Sequence, residues 1–524
     1  MFTRSMKLLL LSLTLGAVAF AGTTLTPIRI EQCGKPPETK PDNIVLANEP
    51  EGGNASLVID FDITGLKQAV TPMARLHLDD VTKISVKRSG QKNTGERGVV
   101  HAFMAGRGKP VGVVPVKAGG LVNPYLIDVT PAVNAALAAK QTTVHLEVRL
   151  EGKPLFYEVY AAPMAKASLE IAPDTNWTDD WQQRLAPIAG GGTVYRETCL
   201  PIAESRDTEV TLSLLYPAKK IVEVFSNATG TKLSEGRDWT LRDGKLVLPA
   251  GSHAPLQIES EFFASPLKEK DGSTKMIRSQ IRLMEGTWYI ERQIEVTYEP
   301  ASRDWKWPAA ISSPDSLPRL MKKLIAKEPV TMILFGDSIA AGGNASKFQG
   351  TWPWQPCFGE LVARAVEKHY GGPITFLNHS RAGATSAWAL TQVDSQVAWF
   401  KPDLAIIAYG MNDRADGRRE MHRANIEKMI DIIRAASPDT ECLVVTPMLN
   451  NPMQPTGLEP VKFLRDEALK IERPGIAFAD ITGTHLAIIE HKPYLDLSGN
   501  GANHPNDFLH RIYAQRILEV LLPR

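Results

Sequence analysis

The chain has 524 residues, with 59 basic and 58 acidic side chains and a formal net charge of +1. That balance leaves no electrostatic footprint for nucleic acid or an anionic membrane surface, and there is neither a basic run nor a low-complexity tract. The length exceeds what one hydrophobic core serves, so two to four domains are expected.

Arg4 and Lys7 precede an apolar stretch from Leu8 to Phe20, and Ala19-Phe20-Ala21 places small residues at the two positions a signal peptidase reads. The pattern predicts a cleaved signal peptide over 1–21 and a secreted or periplasmic protein. A single membrane anchor is the alternative, for which the apolar run is short. No cysteine follows the run and no second segment is apolar enough to span, so no stable membrane anchor is expected. Of the four cysteines, Cys442 falls in an apolar strand pattern and Cys357 lies between Pro356 and Phe358. Cys33 and Cys199 sit in loop-like segments and are the more plausible disulfide pair.

Residues 22–53 are rich in Pro, Gly and Asn and read as an irregular lead-in. Residues 54–170 read as a β-sandwich module. Ser56 to Ile63, Ala74 to Leu78, Lys83 to Val86 and Thr143 to Leu150 alternate apolar and polar residues, the pattern of strands with one wet face. One helix interrupts them, with Thr130 as N-cap, Pro131 in the first turn and Ala132 to Ala139 following. Leu126-Ile-Asp-Val-Thr130, with the helix and strand after it, is loosely similar to the jelly-roll modules beside bacterial carbohydrate-active enzymes. Residues 171–192, with Trp177, Trp181 and three consecutive glycines, read as a linker. A second β module is expected over 193–299: Glu209 to Leu215 alternates, Trp239 to Leu248 is a hairpin turning at Asp243-Gly244, and Trp288 to Thr297 is a further strand.

After a linker at 300–317, the period changes over 318–524. Apolar runs at 330–335, 374–377, 404–409, 441–446 and 476–479 read as parallel strands. Helical patterns separate them: Leu361 to Tyr370, Ala387 to Trp399, Arg418 to Ala436, Glu459 to Ile471 and finally Leu509 to Leu522. The alternation predicts a three-layer α/β/α sandwich preceded by two all-β, sandwich-like domains.

Four points of this domain fall in loops near strand ends, where open α/β sheets bind ligands. They are Gly336-Asp337-Ser338, Asn378 through Ser386, Tyr409 through Asp413, and Asn503-His504-Pro505. Acyl transfer needs a nucleophile, a base within reach and donors aimed at the developing oxyanion. Ser338 fits the nucleophile and His504 the base. The backbone amide of Gly383 fits a donor, since a residue without Cβ lets substrate approach, and the Asn412 side chain fits another. Ser338 as a plain turn serine is the bland alternative. Asp337 and Asp413 are expected to hold their loops.

This constellation resembles the SGNH (GDSL-type) hydrolase family over about 200 residues, from Pro329 to the C-terminus. Phe335-Gly-Asp-Ser-Ile339 is similar to the first block, Asn378 through Ser386 with Gly383 to the second, Gly410-Met-Asn-Asp413 to the third and His504-Pro505 to the last. The resemblance implies a flavodoxin-like sandwich and ester hydrolysis through an acyl-serine, with no metal and no cofactor. It implies Ser338 as nucleophile and His504 as base, with the amides of Ser338 and Gly383 and the Asn412 side chain as the oxyanion hole.

One position departs from the pattern. The family's acid lies three residues before the histidine, and here that residue is Gly501. The imidazole tautomer must then be fixed by something else. The Gly501 carbonyl is one candidate, and Asp496, Asp507 and Asp480 are the competing side chains. Asp507 has a second role open to it, capping the last helix. Trp352 and Trp354, shortly after the nucleophile, could stack on a sugar or acyl group or could only pack their loop. His379 is expected to be structural or to line the substrate, and Arg381 to meet an anionic group or snorkel at the rim. His485, His491 and His510 show no partner pattern and are expected at the surface or in caps.

The expected activity is a secreted esterase removing small acyl groups, acetyl foremost, from a polysaccharide. A lipid or aryl esterase of the same family is an alternative, although no amphipathic lid is evident. A non-catalytic polysaccharide-binding protein with a degenerate hydrolase domain is another, favoured only by Gly501. The oligomeric state is not legible.

Overall fold

The computed structural model describes residues 183–188, 190–263, 281–349 and 351–523 in full, with 58–64, 129 and 132–147 near the N-terminus and the backbone of further strands between 23 and 278. The signal segment and most of the linker at 171–192 lie outside these residues. The chain divides into two compact units, Met1–Asp174 and Thr175–Arg524.

The first unit is built on a ten-stranded sheet whose neighbours pair antiparallel. The runs Ala74–Leu78 and Lys83–Ser85 belong to one long strand, Ala74–Ser85, while Val86 lies outside the described residues. The helix spans Thr130–Ala138, with the N-cap position on Val129 rather than Thr130. Ile59, Phe61, Val144 and Leu146 are buried. These are the alternate residues of the paired strands Gly53–Asp62 and Thr143–Glu151, so one face of the pleat carries the core.

In the second unit a four-stranded antiparallel sheet runs in the order Val194–Cys199, Ile294–Pro300, Ala218–Ser226, Thr231–Leu233. Thr240–Arg242 and Lys245–Leu248 form the expected hairpin. Asp243 (φ 51°) and Gly244 (φ 75°) supply the two left-handed residues that a two-residue turn needs. Trp288 and Tyr289 do not begin a strand. Their rings pack edge-on to each other and against Phe262, and the strand starts only at Ile294. Residues 281–289 are thereby held as a loop.

The α/β part has five parallel strands: Ile374–Asn378, Val330–Gly336, Leu404–Ala408, Glu441–Val445 and Ile476–Ala479, in that spatial order. The chain order across the sheet is second, first, third, fourth, fifth, which is the flavodoxin-like arrangement. The first and third strands lie side by side at its switch point, paired through Gly336 and Ala408, and both run directly into expected site loops. The helix pattern at 387–399 is broken into Ser386–Leu390, Val393–Gln396 and a 3-10 turn at Ala398–Phe400. The Thr391 hydroxyl donates back to the Trp388 carbonyl at 2.5 Å and competes with helix continuation there. Helices Pro318–Ile325 and Ile481–Ile489 complete the layers.

The second β module and the α/β domain share one hydrophobic core. Val224, Ile294, Val296 and Tyr298 belong to the same buried cluster as Leu334, Phe358, Leu509 and Ile512. The 300–317 segment takes part as well: Trp305 stacks on Tyr216 and His491, and Trp307 is buried. A buried ionic knot adds to the junction. Lys492 Nζ lies 2.8 Å from Glu197 and 2.9 Å from Asp496, all three fully or nearly fully buried.

Candidate active site

Ser338 follows the buried strand Val330–Gly336 and opens the four-residue helix Ser338–Ala341. Gly336 cannot carry a side chain here, because a Cβ would lie 2.5 Å from both the Ala408 carbonyl oxygen and the Ala340 Cβ. Asp337 caps the short helix, accepting the Ile339 N–H at 3.0 Å. It is fully buried, and desolvation pushes its carboxyl up to about 7 against the pull of that backbone bond. Asp337 therefore holds the nucleophile turn.

Ser338 Oγ lies 2.9 Å from His504 Nε2. At the other ring nitrogen, His504 Nδ1 lies 2.6 Å from Asn344 Oδ1. The amide of Asn344 has only one workable orientation, since its Nδ2 donates to the carbonyls of Gly499 (3.0 Å) and Gly286 (3.2 Å). Oδ1 therefore faces the ring as an acceptor, Nδ1 carries the proton, and Nε2 is left bare to take the Ser338 proton. Asn344 is completely buried and sits at φ 62°, a conformation that asparagine tolerates better than most residues. A carboxylate stands close by: Glu285 Oε2 is 3.6 Å from the same Nδ1.

None of the four positions expected to orient His504 does so. The Gly501 carbonyl accepts from Asn451 Nδ2 at 2.7 Å. Asp496 is committed to Lys492 and to the Leu200 N–H. Asp480 caps the helix Ile481–Ile489 and pairs with Arg465. Asp507 begins the last helix, whose N-cap is Asn506, and accepts the Ser346 N–H at 2.9 Å. Each carboxylate was drawn off by a structural demand invisible in the linear spacing. Asn344 and Glu285 were missed, the first because a neutral amide is rarely considered for this place. Glu285 falls within the β module expected over 193–299 and lies 219 positions before the histidine. The Asn-Gly-Ala-Asn stretch before His504 was the available hint that the neighbourhood is built from amides.

The loops that carry Gly383 and Asn412 meet beside the serine. The Arg381 N–H donates to the Gly336 carbonyl at 2.9 Å, tying the Gly383 loop to the nucleophile strand. Asn412 Nδ2 donates to the Ala384 carbonyl at 3.0 Å, which uses one of its two N–H groups. Asp413 accepts from the Ser386 N–H and hydroxyl, fixing the third loop to the second. Gly383 is exposed at φ 71°, and a Cβ there would meet nothing, so its surroundings are open.

The residues expected at the substrate rim sort differently. Trp354 is buried, and Trp352 stacks on Phe225 with Arg196 lying over both rings. Trp352 packs its loop onto the β module, and Trp354 belongs to the shared buried core. His379 is buried, with Nδ1 against the Gln396 carbonyl, and desolvation lowers its pKa to about 4. It is a neutral core histidine. Arg381 lies over the Trp388 ring. His485 and His510 are fully buried rather than at the surface. Cys199 is the last residue of a strand, buried and free, 3.4 Å from Lys492 Nζ, while the side chain of Cys33 lies outside the described residues.

Residues 334–512 match the GDSL-like lipase/acylhydrolase family. This region is a GDSL-like ester hydrolase domain. Among solved structures the chain is similar to a lipase/acylhydrolase from Enterococcus faecalis, at 22% identity over 36% of this chain and 93% of that one, with a TM-score of 0.29. It is similar to an acetylxylan esterase from Geobacillus stearothermophilus at 17% identity, covering 37% and 95%, with a TM-score of 0.32. A two-domain esterase active on acetylated mannans gives 16% identity, 40% and 53% coverage and a TM-score of 0.33. No curated protein matches the chain. Among the described residues of the hydrolase domain and beyond it, no helix is long and apolar enough to cross a membrane.

Proposed function

We propose that the chain is a secreted serine esterase that removes small acyl groups, acetyl foremost, from a polysaccharide through an acyl-Ser338 intermediate. The observation that carries the chemistry is the Ser338–His504 contact with Nε2 left as the acceptor. Ser338 Oγ attacks the ester carbonyl while its proton passes to His504 Nε2. The amides of Ser338 and Gly383 and the second N–H of Asn412 offer donors for the carbonyl oxygen as it becomes negative. His504 then gives the proton to the sugar oxygen as its bond to the acyl carbon breaks, so the sugar leaves as an alcohol. Water, deprotonated by the same nitrogen, releases the acid and restores the serine.

One apolar cleft among the described residues lies away from the serine. A cleft of about 440 Å³ is lined by Leu185, Pro187, Trp307, Ala365, Leu518 and Leu522, at the C-terminal ends of helices Phe358–Tyr370 and Asp507–Leu521. The second of these helices starts beside His504 and is roughly 20 Å long at 1.5 Å per residue, so the cleft is remote from the serine. A long acyl chain would need such a surface next to Ser338. The open side at Gly383 suits a bulky polar alcohol carrying a short acyl group. The secretory leader pattern and the β-rich regions support a polymeric substrate outside the cell.

Wild type and Ser338→Ala are compared on aryl acetate, aryl octanoate and acetylated polysaccharide, with a fluorophosphonate probe in parallel. Wild type is expected to release acetate from the first and third and to label, and Ser338→Ala to do neither. Equal signals from the two proteins would overturn the esterase reading. Preference for octanoate would overturn the small-acyl part.

A further inference from the structure

We propose that Glu285 is a positioning residue for His504, supplying from the β module the carboxylate that position 501 lacks. The inference rests on the serine-esterase reading above and concerns how that site is completed.

Gly501 sits at φ +78°, and a Cβ on it would lie 2.1 Å from the Tyr289 hydroxyl oxygen and 2.2 Å from the Arg282 carbonyl oxygen. The space that a side chain at 501 would need is filled by the 281–289 loop, the segment that carries Glu285. The absence of an acid at 501 and the presence of this loop are thus two sides of one arrangement.

The loop is fixed at several points. The Tyr289 hydroxyl donates to the Arg282 carbonyl at 2.7 Å, closing it on itself. The Met284 N–H donates to the Asn500 carbonyl at 3.1 Å, and Asn344 Nδ2 donates to the Gly286 carbonyl. Glu285 is aimed by Asn500. The Oδ1 of Asn500 accepts the N–H groups of Ala502, Asn503 and His504, so its Nδ2 must point away and donates to Glu285 Oε1 at 3.0 Å. Oε2 is then left 3.6 Å from His504 Nδ1. Contact with His504 holds the Glu285 carboxyl below its ordinary range against the cost of partial burial, and the Asn500 amide adds to the effect.

Asn344 and Glu285 divide the task of the missing aspartate. The neutral amide fixes the tautomer and the ring plane. The carboxylate faces the positive charge that appears on the imidazole once it has taken the Ser338 proton. The Glu285 side chain is 60% exposed, so water screens it and its share is smaller than that of a buried aspartate.

The test uses the full chain with Glu285→Gln and Glu285→Asp. Glutamine keeps the length and an oxygen for Asn500 but removes the charge. E285Q is expected to lower kcat on an aryl acetate and the fluorophosphonate labelling rate of Ser338 by about tenfold to a hundredfold. KM should stay within about twofold and the thermal midpoint should be unchanged. E285D should recover part of both rates. A wild-type labelling rate in E285Q, or E285D no faster than E285Q, would overturn the proposal. Labelling consumes no ester substrate, so this outcome is separate from failure of the substrate reading, which would show as normal labelling without turnover in wild type.

Discussion

Asn344 Oδ1 lies 2.6 Å from His504 Nδ1, in the place where a serine hydrolase ordinarily keeps a carboxylate. The amide is locked by its two donated bonds and is completely buried, so it cannot turn to offer N–H instead. Asn344→Ala should lower kcat by about a hundredfold or more, because the imidazole loses its fixed tautomer. It should also cost about 1–2 kcal/mol, since alanine at φ 62° gives up asparagine's tolerance of that conformation. Steady-state kinetics beside chemical denaturation separates the two effects. An active, merely destabilised variant would assign Asn344 to folding alone.

Asn412 keeps one N–H after bonding to the Ala384 carbonyl. Asn412→Ala should reduce kcat by about 10²–10³ with KM little changed, the signature of a donor used most strongly in the transition state. Asn412→Asp should be at least as poor, because a carboxylate beside a forming oxyanion repels it. If the loss falls in KM instead, Asn412 is a ground-state contact.

Gly383 and Gly501 are both left-handed, at φ 71° and 78°, but their surroundings differ. A Cβ at 383 meets nothing within 4 Å, whereas one at 501 collides with Tyr289 and Arg282. Gly383→Ala should cost only the backbone strain of about 1–2 kcal/mol while crowding the substrate, so activity falls more than stability. Gly501→Ala should lose about 2–4 kcal/mol through strain and overpacking together, and should displace the 281–289 loop. Thermal midpoints of the two variants, measured side by side, decide this. Equal shifts would contradict it.

Asp507 is buried, and desolvation pushes its carboxyl up from 3.8 to about 7 despite the Ser346 hydrogen bonds. Between these values the folded chain holds a proton that the unfolded chain has released. Its stability contribution is therefore fully present below about pH 4 and is lost as pH rises through about 7. Asp507→Asn can still accept from Ser346 and has no proton to lose. Its stability advantage over wild type should widen between about pH 4 and 7 and then level off. Parallel curves of unfolding free energy against pH would refute the assignment.

Much of the fold was legible because it rests on local patterns. Five apolar runs at strand length with amphipathic stretches between them can only be covered on both faces, which requires the α/β/α layers. Asp243-Gly244 announced its turn for an equally local reason, the two positive φ values it adopts. The stretch from Trp288 misled because aromatic residues have high strand propensity, whereas here their rings pack on Phe262 and the chain bends. The 300–317 segment read as a linker because proline and scattered polarity hide that Trp305 and Trp307 anchor it.

Local pattern alone carries the four loops, their order and the residue types found in them: Ser338, Gly383, Asn412 and His504. These follow from strand ends, which are local. The surroundings of His504 were decided by tertiary structure alone. Asp496, Asp507 and Asp480 were claimed by Lys492, Ser346 and Arg465, and a loop from the β module filled the space at Gly501. Which acceptor reaches a ring nitrogen depends on distances of a few ångströms between segments far apart in the chain, and no spacing rule carries that information.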